Sequence, residues 1–283
     1  MQDIIVLHGG AGSSERFNQV LQKYANDSID ENDALSAVVR AVSLMEDDEQ
    51  FNAGTGSVTR IDGSIQMDAA VMTEESLGAV INIERVKNPV MVARSVMENT
   101  PHVILSGDGA TEFARVMGFE DYNPSTEKSV ARREILLKKL FSSGSEQDPA
   151  LKPFISMKGI RELARYTTDT VGAVCRMNGA FAAAVSTGGA FPMLRGRVGD
   201  SPIPGSGIYV GKKGAIVATG IGEEIIKKSL SFKVYSEIGA ADLLEILEKA
   251  VADFSSSVGL IAVDEHGHAS ASNREMATAV ARK

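Results

Sequence analysis

Residues 170–202 constrain the fold of this chain more than any other stretch. Two short apolar runs, at residues 171–175 and 181–185, flank the dipeptide Asn178-Gly179. Asn-Gly tolerates positive φ, as a two-residue type I′ turn requires, so the sequence predicts a β-hairpin with Thr170 as its first residue. Because apolar and small residues occupy both faces of each predicted strand, neither face suits water. We therefore expect this hairpin to be covered on both sides.

The segment after the hairpin carries groups that suit a ligand rather than a core. Residues 186–189 read Ser-Thr-Gly-Gly, and Arg197 and Asp200 follow in a glycine-containing loop. Spacing alone also allows Arg197 and Asp200 simply to pair with each other. The Thr170 hydroxyl is a weak nucleophile without a base, and one available base is its own α-amine, freed by cleavage of the preceding peptide bond. A free α-amine titrates near pH ~8 and can accept that proton.

Composition limits the class of protein and its partners. A chain of 283 residues can bury a large core, and we expect one domain. Its net charge of -8 argues against nucleic acid, which needs a basic protein face. The N-terminus has a short apolar run without a basic region before it, so we predict no signal peptide, no membrane contact and a cytoplasmic location. The single cysteine, Cys175, is expected in the core.

Hydrophobic periodicity predicts further strands and amphipathic helices. A second hairpin is expected between residues 57 and 72, around Asp62-Gly63. Helices are expected after the N-cap Asp33, from Asn88-Pro89, and at residues 107–118, 125–141 and 243–251. Other strands are expected at residues 4–7, 78–83, 102–105, 207–210, 215–218 and 258–263. Mostly antiparallel strands with helices before and after them imply an α+β fold in which two stacked sheets lie between helix layers.

Three other segments carry local signals. The glycines after His8 predict a turn that matches no phosphate-binding fingerprint, and His8 itself is expected to be a hydrogen-bonded structural residue. Residues 219–223 place glycines at a helix start, where free N–H groups favour negative charge. Residues 142–149 are rich in Ser, Gly, Asp and Pro and predict a linker, whose exposed backbone would tolerate self-cleavage. An ordinary surface insertion would have the same composition.

Several short motifs, in one order, resemble the plant-type L-asparaginase and isoaspartyl aminopeptidase family of N-terminal-nucleophile (Ntn) hydrolases. The resemblance covers most of the chain, and only residues from about 119 to 168 match poorly. The motifs are HGGAG from His8, FNAGTGSV from Phe51, MDAAVM from Met67, GDGA from Gly107, TVGAV from Thr170, then STGG and GRVGDSP, ATGIGEE from Ala218 and GLIAVDEHGH from Gly259.

The resemblance implies the four-layer αββα sandwich of Ntn hydrolases, built from residues 1–283 as one domain. It also implies autocleavage between Asp169 and Thr170. The products would be an α subunit of residues 1–169, in which residues 121–169 form the poorly matching helix and linker, and a β subunit of residues 170–283. A dimer of these processed αβ heterodimers is implied as well.

The family's chemistry implies a role for each matching residue. Thr170 would attack the side-chain amide of L-asparagine, or the β-aspartyl bond of an isoaspartyl dipeptide, and form a β-aspartyl ester. Thr219 would supply its hydroxyl and Gly220 its N–H to the oxyanion. Thr187 would hydrogen-bond the nucleophile, and the side-chain amide of Asn52 would help to orient it.

Substrate and ion binding follow from the same resemblance. Arg197 would hold the substrate α-carboxylate, Asp200 its α-ammonium, and the backbone of Gly222 would line the pocket. No cofactor is expected for catalysis. A structural sodium ion is implied, bound largely by the backbone carbonyls of Met45, Glu46, Asp48, Phe51, Ala53 and Thr55.

Three departures from the family pattern bear on function. No histidine lies two residues before Thr170, one residue is missing between Thr170 and Thr187, and residues 191–194 read Phe-Pro-Met-Leu where a polar loop is usual. The first two would affect the speed of self-cleavage, and the third would shift leaving-group preference. Other hypotheses are a glycosylasparaginase, a Thr-dependent endopeptidase, or an unprocessed, non-enzymatic binding protein that uses its glycine loops.

Overall fold

A computed structural model describes residues 2–141, 170–191 and 193–283. The helices in these ranges are α1 Asn18–Ile29, α2 Ala34–Asp47, α3 Pro89–Asn99, α4 Gly107–Val116, α5 Glu127–Phe141, α6 Gly222–Lys228, α7 Leu230–Glu237 and α8 Leu243–Ala252. The strands are β1 Ile4–Ala11, β2 Met67–Thr73, β3 Leu77–Ile83, β4 Ile104–Ser106, β5 Val171–Met177, β6 Ala180–Thr187, β7 Ile208–Gly211, β8 Gly214–Gly220, β9 Val258–Asp264, β10 His268–Ser272 and β11 Met276–Arg282.

The strands form two sheets that stack face to face. One has seven strands in the order β11-β1-β5-β6-β2-β3-β4, and the other has four in the order β10-β9-β8-β7. All strand pairs are antiparallel except β3 with β4. A core of residues such as Val6, Val174 and Val217 fills the space between the sheets. Because β5 is apolar on both faces, its other face is covered by a helix layer.

Helices cover the outer face of each sheet. A large core that includes Leu21, Val42 and Val92 lies between helices α1, α2 and α3 and the seven-stranded sheet. A second core that includes Leu230 and Leu247 lies between helices α7 and α8 and the four-stranded sheet. These four layers confirm the predicted α+β fold with an αββα arrangement.

The predicted hairpin at the centre of the molecule is confirmed. Strands β5 and β6 pair antiparallel around Asn178 and Gly179, whose φ angles of 51° and 79° are those of a type I′ turn. The strand itself begins at Val171, one residue later than predicted, and Thr170 directly precedes it. This places Thr170 between the stacked sheets.

The second predicted hairpin is wrong. Asp62 and Gly63 do form a turn, closed by a hydrogen bond from the Arg60 N–H to the Ser64 carbonyl (2.7 Å), but residues 57–66 contain no strand. The Arg60 side chain is fully buried and donates to the Gln66 carbonyl and to Asn82 Oδ1. Hydrogen bonds from the Arg60 side chain therefore fix this segment, in place of the backbone pairing between two strands that a hairpin would have. Strand β2 pairs instead with β3 and β6.

Other differences lie at element boundaries or in elements that periodicity does not reveal. The predicted turn after His8 belongs to β1, which continues through a bulge to Ala11. Helices α1 and α7 and strands β10 and β11 have no counterpart among the elements expected from the sequence. In the described ranges no helix is both long and apolar enough to cross a membrane. The predicted linker at residues 142–149 and the predicted cleavage residue Asp169 lie outside the described residues.

Candidate active site

A narrow cavity of about 10 Å³ lies at the end of β5, beside Thr170. The Thr170 side chain is only 6% exposed, and its Oγ1 lies 3.5 Å from Ser201 Oγ. Most of the predicted catalytic and substrate-binding groups meet here, although they come from segments far apart in sequence. The lining residues are Thr170, Thr187, Gly189, Ala190, Arg197, Gly199, Asp200, Ser201 and Gly220.

Asn52 supports the cavity wall through two hydrogen bonds. Its Nδ2 donates to the Gly189 carbonyl (2.5 Å), and its Oδ1 accepts from the Val58 N–H (2.9 Å). Thr187, the last residue of β6, uses Oγ1 to accept from the Gly189 N–H (2.9 Å). Both side chains therefore fix the same glycine loop, which lines the cavity together with Asp200 and Ser201.

The predicted oxyanion donors lie at the end of β8. Thr219 is fully buried, and its Oγ1 accepts a hydrogen bond from the Ala11 N–H (3.3 Å). Since a hydroxyl has one proton to donate, this arrangement leaves the Thr219 O–H available to a second partner. Gly220 lines the cavity with a φ of 141°, and a Cβ there would lie 2.2 Å from the Ser257 carbonyl oxygen. Only glycine fits this close approach of two backbones.

Arg197 pairs with Glu223, not with Asp200. Its Nε and Nη2 each donate to one Glu223 carboxylate oxygen at 2.9 Å, which is the bidentate geometry typical of Arg. Burial raises the pKa of Glu223, but the bond to Arg197 outweighs it, so this pKa lies below its usual value. The edge of the guanidinium formed by Nη1 and Nη2 faces away from this pair, so a second carboxylate could bind there.

Asp200 has an unpartnered oxygen inside the protein. The residue is 4% exposed, and its Oδ2 has no hydrogen-bond partner among the described residues. Burial raises its pKa to about 7, against the opposing charge of Arg197. A buried carboxylate oxygen without a donor is costly, so the site favours a ligand that brings N–H groups and positive charge.

Two further charged residues form hydrogen bonds with the backbone of the Arg197–Asp200 loop. Asp68 is buried and accepts from the Asn82 N–H (2.7 Å) and the Gly199 N–H (3.3 Å). Arg60 donates to the Arg197 carbonyl at 3.4 Å. Sequence analysis did not assign roles to Asp68, Ser201 or Glu223, although each lies within one of the motifs MDAAVM, GRVGDSP and ATGIGEE.

His8 is structural, as predicted. Burial lowers its pKa to about 3, while the neighbouring Thr170 backbone partly opposes the shift. The imidazole is therefore neutral at pH 7, and its Nδ1 accepts from the Gly10 N–H (3.1 Å). It packs against Gly172, where a Cβ would lie 2.5 Å from Nε2. A neutral ring of this kind fixes the backbone around Thr170.

The loop after α2 brings several of the predicted sodium ligands together. The chain approaches itself closely at two glycines of this loop. A Cβ added to Gly54 would lie 2.4 Å from the carbonyl oxygen of Glu46, and a Cβ added to Gly56 would lie 1.9 Å from the carbonyl oxygen of Phe51. The carbonyls of Asp48 and Ala53 accept hydrogen bonds within the same loop. Among the described residues no cluster of three or more His, Cys, Asp or Glu side chains could hold a metal ion. Any cation bound in this loop would therefore take neutral carbonyl ligands.

Comparison with known proteins identifies the family of the chain. The family described as asparaginase matches residues 1–283. The chain belongs to the asparaginase family. Curated relatives of this family member are named as hydrolytic enzymes, and the protein is accordingly an enzyme.

Three relatives of this asparaginase-family chain illustrate the range of the match. A plant-type L-asparaginase of Pyrococcus furiosus is 42% identical over 238 residues, which is 80% of this chain and 76% of the relative. A plant-type L-asparaginase of Pyrococcus abyssi is 39% identical over 282 residues, 93% of this chain and 90% of the relative. An isoaspartyl peptidase of Salmonella typhimurium is 36% identical over 289 residues, 94% of this chain and 90% of the relative.

Proposed function

We propose that the protein is a Thr-dependent amidohydrolase that releases ammonia from L-asparagine and cleaves β-aspartyl dipeptides. The observation that carries this proposal is the unpartnered, buried Asp200 Oδ2 in the same cavity as the Thr170 hydroxyl. The Asp200 carboxylate and the Arg197 guanidinium suit the α-ammonium and α-carboxylate groups of an aspartyl substrate. With those groups bound, the β-carbonyl of the substrate would lie within reach of the Thr170 hydroxyl. The names of the relatives support the same substrates.

The reaction proceeds in two steps. Thr170 Oγ1 adds to the β-carbonyl carbon, and its proton passes to the free α-amine of Thr170. The tetrahedral oxyanion accepts hydrogen bonds from the Thr219 hydroxyl and the Gly220 N–H. The carbon–nitrogen bond then breaks, and ammonia or the leaving amine takes the proton. Water attacks the resulting ester, which releases aspartate and restores Thr170.

This mechanism requires cleavage between Asp169 and Thr170, because an amide nitrogen cannot act as the base. We expect the purified protein to yield two fragments that meet at this bond, with ammonia release rising in step with cleavage. Intact-mass spectrometry and an ammonia assay over time test both. An uncut chain that still released ammonia would exclude the α-amine as base.

Sodium binding and self-association complete the proposal. The carbonyl-lined loop supports a structural sodium ion, and replacing sodium by choline in the buffer should then lower the melting temperature. Three exposed apolar residues support a dimer of processed heterodimers: Val103 directly before edge strand β4, Ile104 in that strand, and Val116 at the end of α4. Sedimentation of the wild type and Val103→Lys tests that dimer. A cytoplasmic location stays a prediction.

Gly222→Ala is expected to weaken substrate binding. A Cβ at residue 222 would lie 2.8 Å from both Arg197 Nη2 and Asp200 Oδ1, so both groups must move apart. We expect KM for L-asparagine to rise about tenfold with a smaller change in kcat, because the lost contacts bind ground and transition states alike. Gly109→Ala is the matched control, since nothing lies within 4 Å of its Cβ position in helix α4. An unchanged KM in Gly222→Ala would contradict the assignment of the zwitterion site.

Inhibition by L-aspartate is expected to depend on pH through Asp200. Its raised pKa of about 7 means that the carboxylate needed for the α-ammonium group is present above pH 7 and is lost as the pH falls. We expect the inhibition constant to rise about 30-fold between pH 8 and pH 5.5. Asp200→Asn should bind L-aspartate weakly at every pH in this range. A wild-type inhibition constant that stays flat would show that Asp200 does not hold the ammonium group.

A further inference from the structure

A second, larger cavity of about 240 Å³ lies beside the candidate active site. We call it the basic cavity, because Arg16, Lys128 and Arg132 line it. Apolar side chains of Phe17, Phe51 and Val58 contribute its floor.

The basic cavity adjoins the catalytic groups at two points. Asn52 lines it, and the same side chain donates to the Gly189 carbonyl in the wall of the Thr170 cavity. Gly12 lines it as well, and the preceding residue, Ala11, donates its N–H to Thr219 Oγ1. The basic cavity therefore lies next to the Thr170 cavity, on the side of Asn52 and of the strand that contacts Thr219.

The charges of the basic cavity are not neutralised by ion pairs. Within the described ranges, Arg16, Lys128 and Arg132 have no carboxylate within salt-bridge distance. Glu49 is the one carboxylate among the lining residues, so cations exceed anions by three to one. Arg16 lies over the Phe17 ring at 4.7 Å, which leaves its N–H groups for a ligand. This excess favours an anion.

Resting on the proposed function, we propose that the basic cavity binds the leaving residue of β-aspartyl dipeptides. The α-carboxylate of that residue lies against Lys128 and Arg132, and its side chain lies against Phe17 and Val58. L-asparagine releases ammonia and has nothing to place there, so the basic cavity separates peptide cleavage from asparagine hydrolysis. It also explains how a site with few polar groups near residues 191–194 can hold a charged leaving residue.

The test compares three substrates: β-aspartyl-leucine, its C-terminal amide and L-asparagine. We expect the wild type to cleave the dipeptide about tenfold better, in kcat/KM, than the amide that lacks the carboxylate. The double variant Lys128→Gln/Arg132→Gln should lose this tenfold preference, with kcat/KM for L-asparagine unchanged. Lys23→Gln/Arg40→Gln, at two exposed helix positions outside the basic cavity, is the charge-matched control and should keep the preference.

Other results would overturn either this inference or the proposed function. Equal kcat/KM for the dipeptide and its amide in the wild type would overturn the inference, as would a preference that survives the double variant. A parallel loss on L-asparagine would show damage to the fold or to the Thr170 site and would also overturn it. A wild type that cleaves neither L-asparagine nor the dipeptide would overturn the proposed function itself, so the two failures are distinguishable.

Discussion

Thr170→Ala is expected to abolish both chain cleavage and hydrolysis of L-asparagine. Alanine removes the only atom that forms the covalent intermediate, and nucleophile removal in enzymes of this type costs ~10⁴-fold or more in kcat. Thr170→Ser keeps a hydroxyl at the same place and should retain measurable cleavage and turnover. The measurement is intact mass for cleavage and ammonia release for turnover, on all three proteins in parallel.

The neighbouring hydroxyl of Ser201 supplies the strongest check on this assignment, since its Oγ lies 3.5 Å from Thr170 Oγ1. Quenching the wild type in acid during turnover should trap an aspartyl ester on the fragment that begins at Thr170. Ser201→Ala should still form that ester. An ester that disappears in Ser201→Ala and persists in Thr170→Ala would move the nucleophile to Ser201.

Thr219→Val is expected to lower kcat about 10²- to 10³-fold with little change in KM. Its hydroxyl already accepts from the Ala11 N–H, so its proton is free for the oxyanion, and valine removes that donor while keeping the shape. Because the oxyanion exists only after attack, the loss should appear in kcat rather than in substrate binding. Steady-state kinetics with L-asparagine measure both parameters.

Thr219→Ser is the matched control for this change, since it keeps the hydroxyl and should keep most of the activity. Valine also removes the hydroxyl that accepts from the Ala11 N–H, so the stability of the variant has to be measured together with its activity. Melting temperatures of the two variants therefore need to be compared with their kcat values. A valine variant with full kcat would place the oxyanion elsewhere.

Sequence patterns predicted the centre of the fold because its signals are local. The turn at Asn178-Gly179 and the apolar runs beside it define β5 and β6 without reference to the rest of the chain. The helix cap at Asp33 is equally local, with the Ser36 N–H donating to its side chain at 2.8 Å. Resemblance to a known family added the site residues, and the structure places Thr170, Thr187, Arg197, Asp200 and Gly220 around one cavity.

The features that sequence analysis missed depend on contacts between distant segments. Strand β11 alternates buried and half-buried residues and becomes a strand through its pairing with β1. The turn at Asp62-Gly63 looks like a hairpin until the bonds made by the Arg60 side chain are known. Likewise, the partner of Arg197 is Glu223, 26 residues away in a short helix, and no spacing rule links them.

The strand order of the larger sheet decides what a break before Thr170 would do to the molecule. Strands β5 and β6 follow the break, yet they lie between β1 on one side and β2 on the other, both of which precede it. Strand β11, the end of the chain, then flanks β1 from outside. The strands of the two pieces therefore alternate in the larger sheet, and neither piece carries that sheet complete. The two pieces should migrate as one particle until denaturant is added, and separately made fragments should regain activity only by folding together.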